Sequence, residues 1–395
     1  RRGRGALARG VLMMPKHATA TDLLQSSPDR SHPAQRLRVA FFSDSVAERN
    51  GAGTYYHDLL PQLGEVTSGV RMFQPSDKFR VTRLTVPMPG DPTQRLLTPN
   101  VPRLWKAFRH FRPDVVVSIT PGPFGLLGHA LAKRHGCGQL VGFHTQFEEL
   151  SRLYWNPVSR RVANGYLTAA NRIICRSAHA TLVNNRGLIP TVRRLGADQA
   201  AVVGTPLPVE FMRAPVVPLR AQLKQVLFAG RLAPEKNLGA VIDAARACPD
   251  VRFAIAGDGP LRRKLQRQAQ DLPNVCFHGW LERHELQALM DESDLLLLPS
   301  RLETFGSIAL EAMARGRPAL VAAGAGIHEW HSLKDGLITL HEGEAIADKI
   351  KDLSTQSVQA RRARSERARL AAERLNRDTI GEWADLILKA ARSPR

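Results

Sequence analysis

Residues 294–316 read D-L-L-L-L-P-S-R-L-E-T-F-G-S-I-A-L-E-A-M-A-R-G, and the hydrophobic period changes inside them. Asp294 to Leu298 is apolar after its first residue, as suits a parallel strand covered on both faces. From Ser307 to Ala314 the apolar residues recur at helical spacing. Pro299 to Gly306 is the polar loop between, so Gly306 and Ser307 stand where a helix begins. A helix start presents unpaired N–H groups and a partial positive charge, and glycine lets a ligand approach the backbone; together these suit a phosphate. Glu303 stays in the loop, whereas Glu311 lies about a turn and a half into the helix at ~1.5 Å per residue. One carboxylate can reach each flank of a bound diphosphate. A nucleotide sugar carries hydroxyl donors on both flanks, and carboxylates accept from them. The competing reading of the stretch alone is an ordinary strand–turn–helix with two surface glutamates.

Working outward, the same alternation recurs through the second half of the chain. Val226–Ala229, Arg252–Ala256, Val275–His278 and Ala319–Ala322 read as further strands, with helical text such as Leu238–Ala247 and Pro260–Gln270 between them. The first half repeats it: strands at Leu37–Ser43, Asp114–Thr120, Leu140–Phe143, Ala180–Asn184 and Ala200–Val203, and helices at Thr54–Leu63, from Pro123 to His135, and within Leu150–Arg176. Asn50-Gly51-Ala52-Gly53 is a loop opening the first of these helices. Thr205 to Leu223 holds four prolines and reads as a linker. The fold class is therefore α/β, two doubly wound Rossmann-like domains facing across a cleft. We place an Arg-rich arm at 1–35, a first domain at 36–210 and a second at 211–376. The amphipathic helix at the end, Ile380–Arg392, is expected to return to the first domain as part of 377–395. The Arg-rich run from Arg361 to Arg377 reads as a solvated helix face.

Composition narrows the function classes. Of 395 residues 43% are apolar, and no apolar run approaches the ~20 residues of a membrane span. Four scattered cysteines form no C-x-x-C pair, which fits a reduced, cytoplasmic setting without a zinc site. Val11–Met14 is too short for a secretory core. The net charge is +20, and residues 1–220 hold most of it, with 30 Lys and Arg against 13 Asp and Glu. Such a surface calls for an anionic partner or serves solubility. Arg71, Lys78, Arg80 and Arg83 are candidates for one basic face. No nucleic-acid-binding motif is present, and aromatics make up only 6% of the chain, so nucleic acid is not the expected partner.

Three motifs of the second half carry chemistry: G-R-L-A-P-E-K-N at 230–237, I-A-G-D-G-P-L at 255–261, and the stretch quoted first. Arg231 and Lys236 emerge from a strand end and could neutralise a diphosphate leaving group. Gly257 and Asp258 could lie under a nucleotide base, or form a tight turn only. In this order the three motifs resemble the donor domain of retaining glycosyltransferase family 4, of GT-B fold. The resemblance extends over Leu37–Arg392. In the first half S-I-T-P-G-P-F-G-L-L-G and G-F-H-T-Q-F are similar to the lipid-directed branch making mannosyl, glucosyl or sulfoquinovosyl lipids.

The resemblance implies that Glu311 holds the ribose and that Arg231 and Lys236 hold the diphosphate. It places Glu303 on the transferred sugar, with Phe305, Gly306 and Ser307 at the donor through the backbone. Gly51 and Ala52 would lie against the diphosphate and His144 beside the reacting sugar. Front-face transfer without a protein nucleophile is implied, which makes His144 a positioning residue or proton relay. The co-substrate would be UDP- or GDP-linked, with no other cofactor. No Asp-x-Asp cluster marks a metal site. The acceptor expected from branch and charge together is a lipid at an anionic membrane surface, which the enzyme would meet from the inner, cytoplasmic face. Three motifs depart from the family pattern: V-G-T-P-L-P-V-E-F at 203–211, G-A-G-I-H-E at 324–329, and Gln146-Phe147-Glu148. Base, hexose and acceptor stay open, as do a soluble acceptor and a nucleotide-sugar epimerase.

Overall fold

The computed structural model describes residues 33–44, 51–76, 78–88, 91–143 and 157–393. Two six-stranded sheets, every ladder parallel, form the two halves. The first contains β1 (Arg38–Phe42), β2 (Gly69–Phe73), β5 (Val115–Ser118), β6 (Gly138–Gly142), β7 (Ala180–Val183) and β8 (Ala200–Val202), in the order β2-β1-β5-β6-β7-β8. Its helices are α1 (Gly51–Val66), α2 (Val101–Phe111), α3 (Pro123–His135), α4 (Pro157–Ser177) and α5 (Ile189–Arg194). Alternation along β1 divides the faces: Val39 and Phe41 pack under α1, and Ala40 and Phe42 under α2 and α3. An antiparallel hairpin, β3 (Arg80–Met88) and β4 (Asp91–Pro99), leads into α2.

After a short helix α6 (Val209–Arg213), the second sheet is built from β9 (Gln225–Ala229), β10 (Arg252–Ala256), β11 (Val275–Gly279), β12 (Leu295–Leu298), β13 (Ala319–Ala322) and β14 (Leu337–Leu340). The order is β11-β10-β9-β12-β13-β14. Helices α7 (Leu238–Ala247), α8 (Arg262–Gln268), α9 (Arg283–Asp291), α10 (Ser307–Ala314) and α11 (Ile346–Thr355) surround it. The final helix α12 (Val358–Arg392) is a single element of 35 residues, about 50 Å at ~1.5 Å per residue. Its Ala368, Ala372 and Leu375 enter the core of the second half. Trp383, Ile387 and Ala390 enter that of the first.

Several sequence expectations change here. The basic run 361–377 is not a wholly solvated face: Arg361 is buried, donates to the Ala221 carbonyl at 3.1 Å and lies 3.8 Å from Asp294. Helix α12 starts at Val358 rather than Ile380, and α1 already at Gly51, so Gly51 and Ala52 form its first turn and not a preceding loop. Pro33–Arg36, whose first three residues were placed in the arm, is a 3₁₀ turn with Ala34 buried. Strands β2, β3, β4 and β14 and helix α2 were missed. β2 is a half-buried edge whose Arg71 interrupts the apolar run, and α2 mixes cations with exposed Val101 and Trp105 on its outer face.

The Pro-rich connection is anchored by buried polar groups. Arg315 is fully buried, pairs bidentately with Asp291 at 2.9 and 2.7 Å, and donates to the carbonyls of Phe211, Ala214 and Pro215. Asn376 of α12 accepts from the Leu207 N–H and donates to Gln62 of α1. Trp383 donates to the Tyr55 hydroxyl, which donates to the Gly204 carbonyl. Buried donors left without these partners would each cost about 1–3 kcal/mol, so the chain path between the halves is tightly specified.

Candidate active site at the carboxyl edge of the second sheet

The loops after β9, β10 and β12 emerge together at one edge. Gly230 N–H donates to the Ala256 carbonyl at 3.0 Å and Leu232 N–H to that of Asp258 at 2.9 Å. A Cβ on Gly257 would stand 1.9 Å from the Gly230 oxygen, and its φ is +127°. Only glycine fits there. This backbone contact fixes half-buried Arg231 and the 3₁₀ turn Pro234–Lys236. Arg301 N–H donates to the Glu235 carbonyl at 2.8 Å, which ties the β12 loop to the β9 loop. Across that tie the Lys236 ammonium meets a Glu303 carboxylate oxygen at 2.6 Å, both side chains largely buried. Two expected site residues, 67 positions apart, thus form one ion pair.

Helix α10 starts beside this pair. Gly306 has φ +107°, and no side chain caps the helix that Ser307 begins. Its first N–H groups and the positive end of its dipole point to the same edge as Lys236. The Phe305 ring belongs to the core and meets Trp330 edge-on at 6.4 Å between centroids. The 324–326 loop lies on top: Gly326 N–H donates to the Glu303 carbonyl, Ile327 N–H to that of Phe305, and a Cβ on Gly326 would come within 2.0 Å of the Thr304 oxygen. The departure Gly324-Ala325-Gly326 therefore keeps its glycine at the position that needs one. Asp258 is held by Arg262 at 2.9 Å and by the Gly259 N–H at 2.7 Å, an arrangement sufficient for a tight turn.

Glu311 is buried, and its carboxyl is pushed up to about 8, first by burial, then by the negative charge of Asp58, with Arg283 pulling the other way and Glu210 adding to the rise. The surface-glutamate reading thus fails for this residue. Asp58 of α1 and Arg283, the first residue of α9, form a bidentate pair at 2.8 and 3.0 Å that joins the two halves. Arg283 also lies 3.5 Å from Glu210. Neither Asp58 nor Arg283 was foreseen, because a lone acid in a helix and an Arg in L-E-R-H-E carry no motif. A second bridge uses the end of β7: Asn185 donates its amide to the Thr304 carbonyl, Arg186 N–H to Glu329, and the Trp330 indole to the Asn184 carbonyl at 3.4 Å. His144, Gln146, Phe147 and Glu148 lie outside the described residues.

In the first half, Asp44 follows β1 and turns onto the S-I-T-P-G-P-F-G segment. Its carboxylate accepts from the Thr120 hydroxyl at 2.6 Å and from the N–H groups of Phe124 and Gly125 at 2.8 and 3.3 Å. Burial raises the Asp44 carboxyl, and these bonds oppose the rise. Gly122 and Gly125 are required because a Cβ would strike Asp44 or the Thr120 carbonyl.

Two parallel α/β sheets in this order, with the loops after β9, β10 and β12 gathered at one edge, have the GT-B arrangement. Family profiles agree: the one described as Glycosyltransferase Family 4 matches residues 49–211, and that described as Glycosyl transferases group 1 matches 214–371. The chain belongs to this glycosyltransferase family. It is 30% identical over 268 residues to a GDP-mannose-dependent alpha-mannosyltransferase of Mycolicibacterium smegmatis, covering 66% of this chain and 67% of that one. It is 29% identical over 297 residues to the GDP-mannose-dependent alpha-(1-6)-phosphatidylinositol dimannoside mannosyltransferase of Mycobacterium tuberculosis, covering 71% and 76%. Sucrose-phosphate synthase from Thermosynechococcus elongatus superposes with a TM-score of 0.66 at 17% identity, over 89% of this chain and 98% of that one; this supports the GT-B fold.

Proposed function

We propose that the chain is a retaining glycosyltransferase that moves a hexose from a nucleoside diphosphate sugar to a lipid hydroxyl. The observation that carries this is the convergence of Lys236, Glu303 and the uncapped start of α10 at one sheet edge, with Glu311 in the same helix. The diphosphate takes the α10 N–H groups together with Arg231 and Lys236, cations that also stabilise the charge growing on the leaving group. In taking Lys236 the donor releases Glu303, which then accepts from sugar hydroxyls. Glu311 accepts from the ribose. The acceptor hydroxyl attacks on the face from which the diphosphate departs, beside His144. Nothing in this scheme needs a metal, because cations and helix dipole supply the electrostatics.

A lipid acceptor is supported by the first half. The helices on one face of its sheet, α2, α3 and α4, contain nine Lys and Arg and no Asp or Glu. On the opposite face, α1 and residues 375–392 contain three Lys and Arg against five Asp and Glu. The cationic layer also exposes Val101, Trp105, Tyr166 and Ile173, and Arg109 lies over the Trp105 ring at 5.0 Å. Cations interleaved with exposed apolar and aromatic groups suit the interface of an anionic leaflet. No helix among the described residues is long and apolar enough to cross a membrane. Of the basic residues expected at 71–83, Arg71 lies over the Phe73 and Phe111 rings, next to this layer.

The test is incubation of the pure protein with GDP-mannose, the donor named for both mannosyl relatives, and with UDP-glucose, each with and without extracted membrane lipids. A lipid product one hexose heavier, with the anomeric configuration of the donor kept, is expected. Isomerised donor in the lipid-free reaction would instead establish an epimerase, and transfer to water-soluble alcohols alone would establish a soluble acceptor.

A further inference from the structure

Three successive residues past the end of β7 reach across to the second half, and the middle one lands on the segment between Glu303 and Gly306. The Asn184 carbonyl accepts from the Trp330 indole at 3.4 Å, the Asn185 amide donates to the Thr304 carbonyl, and the Arg186 N–H donates to Glu329. Asn185 is buried. Its Oδ1 accepts from the Leu188 N–H at 3.1 Å and caps the 3₁₀ turn Arg186–Leu188. The Nδ2 hydrogens must therefore face the other way, one toward Thr304 and one toward the Asn184 side-chain oxygen at 3.5 Å. The receiving segment is held at each successive carbonyl: Glu303 by the Gly326 N–H at 3.3 Å, Thr304 by Asn185, and Phe305 by the Ile327 N–H at 2.9 Å. The outer two of these bonds come from the same half of the molecule, and the middle one comes from the other. Gly326 makes room for it, since a Cβ there would stand 2.0 Å from the Thr304 oxygen and 3.1 Å from the Asn185 Cβ.

We infer that Asn185 is a positioning residue for sugar transfer, which sets the backbone between Glu303 and Gly306 from the opposite half of the molecule. The inference rests on the reading of this segment as the one that meets the sugar and diphosphate. Thr304 stands between the carboxylate assigned to the sugar hydroxyls and the start of α10. A peptide unit is a rigid plane, so the Thr304 carbonyl cannot turn without turning the Phe305 N–H that shares its plane. Arg231, Lys236 and Glu311 all belong to the second half and hold a nucleoside diphosphate without help from Asn185. Transfer is the more exacting step, because a misplacement of about 1 Å can cost about a hundredfold in rate. The second half alone therefore binds nucleotide, and contact with Asn185 makes its donor segment ready for transfer.

The test compares Asn185→Asp, Asn185→Ser and Asn185→Ala in the full chain, with a thermal scan to show that each is folded. Asp and Ser keep an oxygen that can cap the Leu188 N–H. Neither can donate to Thr304: ionised Asp has no donor, and the Ser hydroxyl is too short to reach it. Ala loses both bonds. Each protein is titrated with UDP and with GDP, and assayed for transfer from GDP-mannose and UDP-glucose to extracted membrane lipids. We expect kcat to fall roughly ten- to a hundredfold in all three variants, while the Kd of the nucleotide that the parent binds stays within about twofold. Trp330→Phe removes the donation to the Asn184 carbonyl, keeps a ring against Phe305, and should lower kcat by less than about threefold. Parent-like kcat in folded Asn185→Asp and Asn185→Ser, with a loss confined to Asn185→Ala, would make Asn185 a cap only and overturn the inference. So would a loss of nucleotide affinity at unchanged kcat, or a loss in Trp330→Phe as large as in Asn185→Asp. A parent that transfers from neither donor would instead remove the proposed function, and the inference with it.

Discussion

Two strand–loop–helix junctions in this chain look alike in sequence and differ in what they offer a ligand. Both β5–α3 and β12–α10 run from a fully buried strand through a loop with proline and glycine into a helix at a carboxyl edge. At β5–α3 the helix start is occupied by the chain itself, because Asp44 accepts from Phe124 and Gly125 and fills the space beside Gly122. At β12–α10 no side chain caps the helix, and a Lys–Glu pair stands beside it. A strand–Gly–helix pattern thus identifies a possible anion site, while a residue some 80 positions away decides whether the site is already filled.

The largest expected effect lies at the open junction. Arg231→Ala or Lys236→Ala should lower kcat by roughly a hundred- to a thousandfold, as for other groups that stabilise charge growing in the transition state. Affinity for the free nucleoside, which has no phosphate, should stay near the parent value. An unchanged kcat in either variant would take that residue out of the site. Next comes Glu311→Ala, with an expected loss in nucleotide-sugar binding, measured above pH 8 where the carboxylate forms, of about 1.5–3 kcal/mol, the range for hydrogen bonds to a charged group.

Glu311 also gives the open junction a pH signature. Its folded carboxyl titrates at about 8 against an ordinary 4.5. Between those values the folded chain keeps a proton that the unfolded chain releases, so the contribution of Glu311 to stability is full below pH 4.5 and falls as pH rises toward 8. Glu311→Gln should therefore raise Tm more in mildly alkaline than in acidic buffer. Donor affinity should run the opposite way and improve as pH rises through about 8, where the carboxylate forms. A thermal scan and a nucleotide titration at two pH values check both signs.

The closed junction should respond in a different measurement. Asp44→Ala leaves the Phe124 and Gly125 N–H groups and the Thr120 hydroxyl without their acceptor, and should cost about 1–3 kcal/mol of stability. Each kcal/mol corresponds to roughly 2–4 °C in Tm for a chain region of this size. Donor KM in the folded fraction should hold. A large KM change with an unchanged Tm would mean that Asp44 serves ligand rather than scaffold.

These contrasts mark what the sequence could disclose. Local patterns sufficed for most of the buried strands, the Gly306 helix start and the placing of Lys236 at the same sheet edge, but not for its ion pair with Glu303. Contacts set by the tertiary path were not legible: Asp44 under Phe124, Asp58 against Arg283, and Arg315 buried among the carbonyls of the connection. Each is a charged residue in text that reads as solvent-facing, and only its distant partner makes burial tolerable. The same cause explains Arg361, where Asp294 and the Ala221 carbonyl lie far away in sequence.

The smallest effect expected per residue concerns the two faces of the first sheet. The α2–α4 layer is wholly cationic by sequence, and the α1–α12 layer is not. Basic residues near an anionic leaflet contribute about 1 kcal/mol each, so Lys106→Ala should lower the vesicle partition coefficient about fivefold. Arg109→Ala should do somewhat more, because it also removes the stacking that holds Trp105 at the surface. Lys389→Ala, exposed on the opposite layer, should leave partition unchanged. The measurement is co-sedimentation with vesicles of graded phosphatidylglycerol content, using a chain shortened by residues 1–32 so that the Arg-rich arm supplies no binding while buried Ala34 is kept. Binding should weaken as salt rises, since the attraction is screened over about 10 Å at 0.1 M. Equal losses from Lys106→Ala and Lys389→Ala would mean that overall charge, not a face, drives attachment; equal binding to neutral and anionic vesicles would leave the cationic layer without a membrane role.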